Sequence, residues 1–138
     1  MKNDNIEQLK GKGHRITQAR SSIIDLLENT DRPISAKSLH TMLDRIGIKV
    51  NVTTVYREID FLLSENIIEK VPLKDTELHY ELKGRPHHHH LLCTKCGNIE
   101  DISLESEKIL LEEAHTVSSY NINRHSLAFY GKCPKCQE

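Results

Sequence analysis

The chain has 138 residues, enough for one domain or two small ones. Its hydrophobic content is 37%, with no Trp and only two Phe, so small halves would need a metal or an oligomeric partner to supplement a modest core. No apolar run approaches the roughly 20 residues of a membrane span, and Met1–Lys10 is too polar for an export signal, so a membrane partner is excluded and the cytoplasm is the expected address.

In chain order, the first predicted helix covers Thr17–Asn29. Ile23, Ile24, Leu26 and Leu27 form its apolar face and Thr17 is suited to cap it. Pro33 ends a loop, and Ser35 opens a second helix to about Ile46, where Leu39, Met42, Leu43 and Ile46 share one face and Gly47 fits the C-terminal cap. A third helix is predicted over Thr53–Ser64. Its inward positions are Val55, Ile59, Leu62 and Leu63, which leaves Thr54, Tyr56, Arg57 and Asp60 facing outward. Two strands, Ile67–Leu73 and Glu77–Leu82, follow around a polar turn at Lys74–Thr76. Three helices and a hairpin in this order match a winged helix-turn-helix, in which the third helix enters a DNA major groove, although small helical domains that bind no DNA are also common.

Gly84-Arg85-Pro86 is the predicted hinge, separating a first domain, 1–83, from a second, 87–138. Beyond the hinge, strands are predicted at His90–Cys93, Ile99–Ile102 and Ile122–Tyr130, with a helix from Ser103 to about His115. The fold class is therefore α+β: a winged-helix domain plus a small α/β domain.

Net charge is −1, yet residues 1–57 hold ten Lys and Arg against six acids, and 83–138 hold seven of each sign. The N-terminal part is thus the better match for phosphate. The four cysteines fall as Cys93-Thr-Lys-Cys96 and Cys133-Pro-Lys-Cys136. Two such knuckles aim four thiolates at one zinc ion. A site closed by four sulfurs leaves no position for substrate, so its role is structural and its binding energy is folding energy.

The run His87-His88-His89-His90 leads into an apolar segment. In an extended strand, side chains alternate faces. His88 and His90 then serve one site and His87 and His89 another. Candidate partners are Glu81 and His79 on the preceding strand, Asp101, Glu105 and Glu107, and His125. Imidazole suits zinc, iron, nickel and copper, while added carboxylates favour harder cations.

Gly13-His-Arg15-Ile-Thr17-Gln-Ala-Arg20, Thr53-Thr-Val-Tyr56-Arg57, His87-His-His-His90-Leu-Leu-Cys93-Thr-Lys-Cys96-Gly97 and His125-Ser-Leu-Ala-Phe-Tyr130-Gly131-Lys-Cys133 together resemble the ferric uptake regulator family. The resemblance runs along nearly the whole chain in order. It implies a homodimer joined through its C-terminal halves, and a repressor that binds palindromic double-stranded operator DNA when loaded with metal. Such a repressor controls metal-homeostasis or peroxide-stress genes and has no small-molecule substrate.

The resemblance makes Arg15, Arg20, Thr54, Tyr56 and Arg57 the DNA-binding candidates. Arg15 matches a position that approaches the minor groove and Arg20 one that touches phosphate. Arg57 is able to fork onto a guanine, and Tyr56 to meet a thymine methyl or a phosphate. Cys93, Cys96, Cys133 and Cys136 match the structural zinc site, one per subunit. Glu81, His88, His90 and Asp101 match ligands of a regulatory divalent cation: zinc, iron(II) or manganese(II). His87, His89 and His125 match a further site, with Glu107 as its helix ligand and Glu105 as the alternative.

One departure from the family pattern concerns the stretch before Ser35. Iron and peroxide sensors place a His there, whereas this chain has Arg32-Pro33-Ile34, and His79 or Glu69 is the candidate replacement. Nor does Lys83–Pro86 contain the Cys that zinc sensors commonly carry before the His run. Two other classes compete with a regulator. A zinc hydrolase needs an open coordination position and a base, and the chain has no HExxH. A zinc-storage or interaction module needs no DNA-reading helix, and the basic N-terminal part argues against it.

Overall fold

The computed structural model describes residues 2–137, the side chains of residues 2 and 3 aside. The architecture is α+β, and the chain divides into two compact units between Arg85 and Pro86. Among the described residues, no helix is long and apolar enough to cross a membrane.

The first unit contains helices α1 (Lys2–Gly11), α2 (Gln18–Glu28), α3 (Ala36–Arg45) and α4 (Val52–Ser64), with strands β1 (Ile34–Ser35), β2 (Ile68–Val71) and β3 (His79–Leu82). Each of the three central helices starts on a side-chain cap. Thr17 Oγ1 accepts the Arg20 N–H at 3.1 Å, Ser35 Oγ that of Ser38 at 3.1 Å, and Asn51 Oδ1 that of Thr54 at 2.9 Å. Helix α3 stops where Gly47 takes φ of 85°, which lets the Ile48 N–H reach back to Leu43 O at 3.0 Å.

Ile23, Ile24, Leu39, Leu43, Val55, Ile59 and Leu62 lose all contact with solvent, and with Leu9 they fill one core between the helices and the sheet. The sheet is antiparallel in the order β1-β3-β2, with Tyr80 of β3 opposite both Ile34 and Lys70. Helices α3 and α4 with the β2–β3 hairpin form the expected winged helix-turn-helix.

Three local differences from expectation have physical causes. Helix α1 was not legible, because Ile6 and Leu9 are its only large apolar residues; Leu9 is fully buried against the core, so the helix depends on tertiary packing. Ile46, expected inward, is 55% exposed, because it is the C-cap residue of α3 and has left the helical face. The third helix begins at Val52 rather than Thr53, since the cap is Asn51.

The second unit contains β4 (His89–Cys93), β5 (Ile99–Ile102), α5 (Glu107–Val117), β6 (Ala128–Gly131) and a short 3-10 turn, Pro134–Cys136. Its sheet order is β5-β4-β6, antiparallel between β4 and β5 and parallel between β4 and β6. The strand expected over Ile122–Tyr130 is confined to Ala128–Gly131. Strand β4 begins at His89, opposite Ile102, and Ala128 pairs with His90, so upstream residues have no ladder to join. The Leu127 N–H instead meets His89 Nδ1 at 3.3 Å. Helix α5 starts at Glu107, not Ser103, because Ser103–Ser106 turn the chain after β5. None of its residues is buried, and Ile109, Leu110 and Val117 are 65%, 52% and 78% exposed.

Ile59→Ala removes a fully buried side chain from the centre of the first unit. It is expected to cost about 2–5 kcal/mol, read as a lower urea midpoint with an unchanged slope.

Candidate metal centres and nucleic-acid face

Cys93 ends β4, and Cys96 lies in the turn to β5, closed by Gly97 at φ of 77° with its N–H on Cys93 O at 2.9 Å. The parallel register sets Cys93 beside Gly131, which delivers Cys133 and Cys136 to the same place. All four thiols are free of disulfides, and their sulfurs lie within 4.8 Å of one another. Cys96 Sγ and Cys133 Sγ are 3.8 Å apart. Four sulfurs placed about 2.3 Å from one zinc ion stand about 3.8 Å apart, so the donor set fits zinc in type, number and spacing.

Cys93 Sγ accepts N–H bonds from Cys96 at 3.5 Å and Cys133 at 3.4 Å. The amides of Cys133 and Cys96 bring its pKa down to about 5, which favours thiolate. Cys136 is pushed up to about 12, first by the Cys133 side chain and then by burial.

Strand alternation separates the His run into two groups. His87 and His89 converge with Glu107 and His125, their ligand atoms within 4.8 Å of one another. His87 Nε2 lies 3.2 Å from both His89 Nε2 and His125 Nε2. Nitrogens held at about 2.0 Å around one tetrahedral cation are roughly 3.3 Å apart. Glu107 Oε1 meets His87 Nε2 at 2.6 Å and His89 Nε2 at 2.5 Å, and it also contacts His125 Nε2. Three imidazoles and one carboxylate oxygen focused on a point suit a divalent cation; without one, they share protons. Glu105 is exposed and stands outside this group.

His88, just before β4, and His90 on it turn to the other side, with ring centroids 4.9 Å apart. Asp101 sits across the ladder from His90, its Oδ1 3.4 Å from His90 Nε2 and its Oδ2 4.0 Å from His88 Nε2. His88 Nδ1 donates to Pro86 O at 2.7 Å, which leaves Nε2 as the lone-pair nitrogen. Two imidazoles and a carboxylate are donors of the kind that suits a divalent cation.

In the first unit, Glu81 is buried on β3, and its Oε2 accepts Arg85 Nη1 at 2.9 Å. His79 belongs to none of the ligand clusters among the described residues. Two residues of strand separate it from Glu81 by roughly 6.6 Å, and its Nδ1 donates to Glu77 O at 2.8 Å. Glu69, the other candidate replacement, is exposed and in no cluster.

Helix α4 turns Tyr56, 50% exposed, and Arg57 to solvent. Thr54 is half-buried, and its N–H and hydroxyl both bond the capping Asn51 side chain, at 2.9 and 3.1 Å. Arg15 is exposed on the α1–α2 linker. Arg20 is not open in the same way: its side chain is 14% exposed and pairs with Glu58.

Glu107 is held down to about pKa 2, first by its hydrogen bond with His125 and then by His87. Its folded value lies below the ordinary 4.5. Its stabilising contacts are therefore fully present above that ordinary value and fade as pH falls through about 2. Carbon-13 NMR of the folded protein at pH 3, with no cation at the Glu107 cluster, is expected to show Glu107 still ionised.

Known proteins resemble this chain in sequence and in fold. The ferric uptake regulator family profile matches residues 11–130. A ferric uptake regulation protein of Neisseria meningitidis is 31% identical over 135 residues, covering 97% of this chain and 94% of its own. The ferric uptake regulator of Francisella tularensis, solved with iron, superposes with a TM-score of 0.80 at 30% identity, covering 91% of this chain and 96% of its own. The Vibrio cholerae ferric uptake regulator gives a TM-score of 0.82 at 28% identity, covering 94% and 99%. These relatives are regulators rather than enzymes, so the hydrolase alternative gives way. Matched along most of its length by profile, sequence and fold, the chain belongs to the ferric uptake regulator family.

Proposed function

We propose that this protein is a cytoplasmic homodimeric repressor that binds double-stranded operator DNA in response to a divalent cation. The observation that carries this reading is the division of four consecutive histidines into two separate ligand groups, on a chain that also presents an exposed helix-turn-helix.

Cys93, Cys96, Cys133 and Cys136 hold the structural zinc, which supplies cross-linking to a unit with few buried apolar residues. His88, His90 and Asp101 are the regulatory-cation ligands of the second unit, and Glu81 is the candidate regulatory ligand of the first. His87, His89, Glu107 and His125 hold a further cation. Zinc, iron(II) and manganese(II) each match these imidazole and carboxylate donors. The uncovered apolar side chains of α5, with Phe129 and Tyr130 on β6, support an interface between two copies of this unit.

A regulatory cation shifts the population of DNA-binding states only by the difference in its affinity between them and the others. A two-fold dimer then presents two α4 helices to half-sites about one helical turn, or a multiple of it, apart. Arg15, Thr54, Tyr56 and Arg57 are the residues that meet DNA.

Operator duplexes selected from a random pool, titrated with each cation in turn, test the regulatory part. His88→Ala/His90→Ala is expected to abolish cation-dependent retardation; undiminished dependence in that variant overturns the site. For DNA reading, Arg57→Ala is expected to lose about 1–3 kcal/mol of discrimination at a guanine, measured as binding to single-base operator variants. Unchanged discrimination and affinity would remove α4 as the reading helix.

A further inference from the structure

We infer that Arg20 is a positioning residue, which fastens the main chain of Arg15 to helix α4 instead of meeting phosphate itself. The inference rests on the proposed DNA-reading role of α4 and Arg15.

The Arg20 guanidinium is committed on its edge and on its face. Nε and Nη2 fork onto Glu58, at 2.8 and 3.2 Å, while Nη1 donates to Arg15 O at 2.8 Å. Its Cζ lies 3.7 Å from the centroid of the Phe61 ring. Glu58 and Phe61 are three residues apart, so both contacts grip one stripe of α4. Arg20 and Glu58 side chains are each 14% exposed. A guanidinium already neutralised by a bidentate carboxylate offers a phosphate little net attraction.

The same linker is fastened a second time along that stripe. Lys12 Nζ and His14 Nε2 hold the two oxygens of Glu65 at 2.8 and 2.7 Å. The His14 ring meets Phe61 edge-on, with centroids 4.9 Å apart. Arg15 lies between these fastenings with its own side chain exposed. Its backbone is therefore tied, at His14 and at its own carbonyl, to the helix that carries Tyr56 and Arg57. A linker ordered before DNA arrives loses less freedom on binding than a loose one.

Two assignments of Arg20 predict opposite results for Glu58→Gln. This change deletes a negative charge, so if Arg20 contacts phosphate, operator binding stays equal or tightens, and Arg20→Lys stays near wild type. If Arg20 positions Arg15, Glu58→Gln weakens binding despite the favourable charge change, by about tenfold. Arg20→Lys, which keeps the charge but loses the fork, weakens it as much.

The decisive variant is Arg15→Ala/Glu58→Gln. Positioning predicts that it binds no worse than Arg15→Ala alone, whereas additive losses overturn the inference. Denaturation midpoints in urea are recorded for each variant, so that an unfolded protein is not read as a weak binder, and Arg20→Gln provides a second break of the same contact. Wild-type affinity in Glu58→Gln, with Arg57→Ala impaired, overturns the positioning role alone. Wild-type affinity in Arg57→Ala overturns the reading of α4 beneath it.

Discussion

The pairing of β4 with strands on both sides places nearly every candidate ligand of the second unit. Its antiparallel neighbour β5 sets Asp101 across from His90. Its parallel neighbour β6 sets Gly131 beside Cys93, and so carries the second cysteine pair to the first. The pleat of β4 adds the third constraint, since consecutive side chains cannot share a face. One five-residue strand, His89–Cys93, thus supports three ligand groups without any of them competing for the same space.

The two units are held together by different means. In the first, helices and sheet enclose a continuous apolar core that includes Ile23, Ile24, Leu39, Ile59 and Leu62. In the second, the buried apolar residues are Leu92, Cys93 and Ile99, and α5 buries none. A unit with so little apolar burial lacks the usual compensation for chain entropy. Its polar clusters are where that compensation is available, which is why cation binding and folding are expected to be one equilibrium there. The first unit has no such need, and its ion pairs instead order a surface: Arg20 with Glu58, and Lys12 and His14 with Glu65, trim the linker against α4.

Much of this was legible in the order of residues, because the relevant interactions are local. A cap followed by helical apolar spacing identifies α2 and α3, and the spacing alone identifies α4, to within a residue or two, since capping and helical periodicity act within a few positions. The two Cys-x-x-Cys pairs state their own chemistry, because a knuckle is built from adjacent residues. The His alternation needs only a strand and its period of two. Where the signal fails, the deciding partner is distant. Helix α1 has one fully buried leucine and depends on packing against the core. Strand β6 is shorter than its apolar pattern because β4 offers a ladder only from His89 onward. Glu107 and Glu105 are indistinguishable in sequence, and the turn through Ser103–Ser106 places only the former among the imidazoles.

Sequence by itself therefore determined the α+β class and the zinc-type cysteine quartet, which follow from spacing, while the family and the remaining candidate ligands follow from the resemblance of its motifs. Tertiary structure decided which of those candidates share a point in space. It set His79 and Glu69 apart from every described cluster, joined Glu107 to three histidines, and committed Arg20 to Glu58 and Phe61. The physical reason is common to all of these: a ligand group or an ion pair is defined to within a few ångströms, and only the pairing of strands and packing of helices brings residues distant in sequence to that separation.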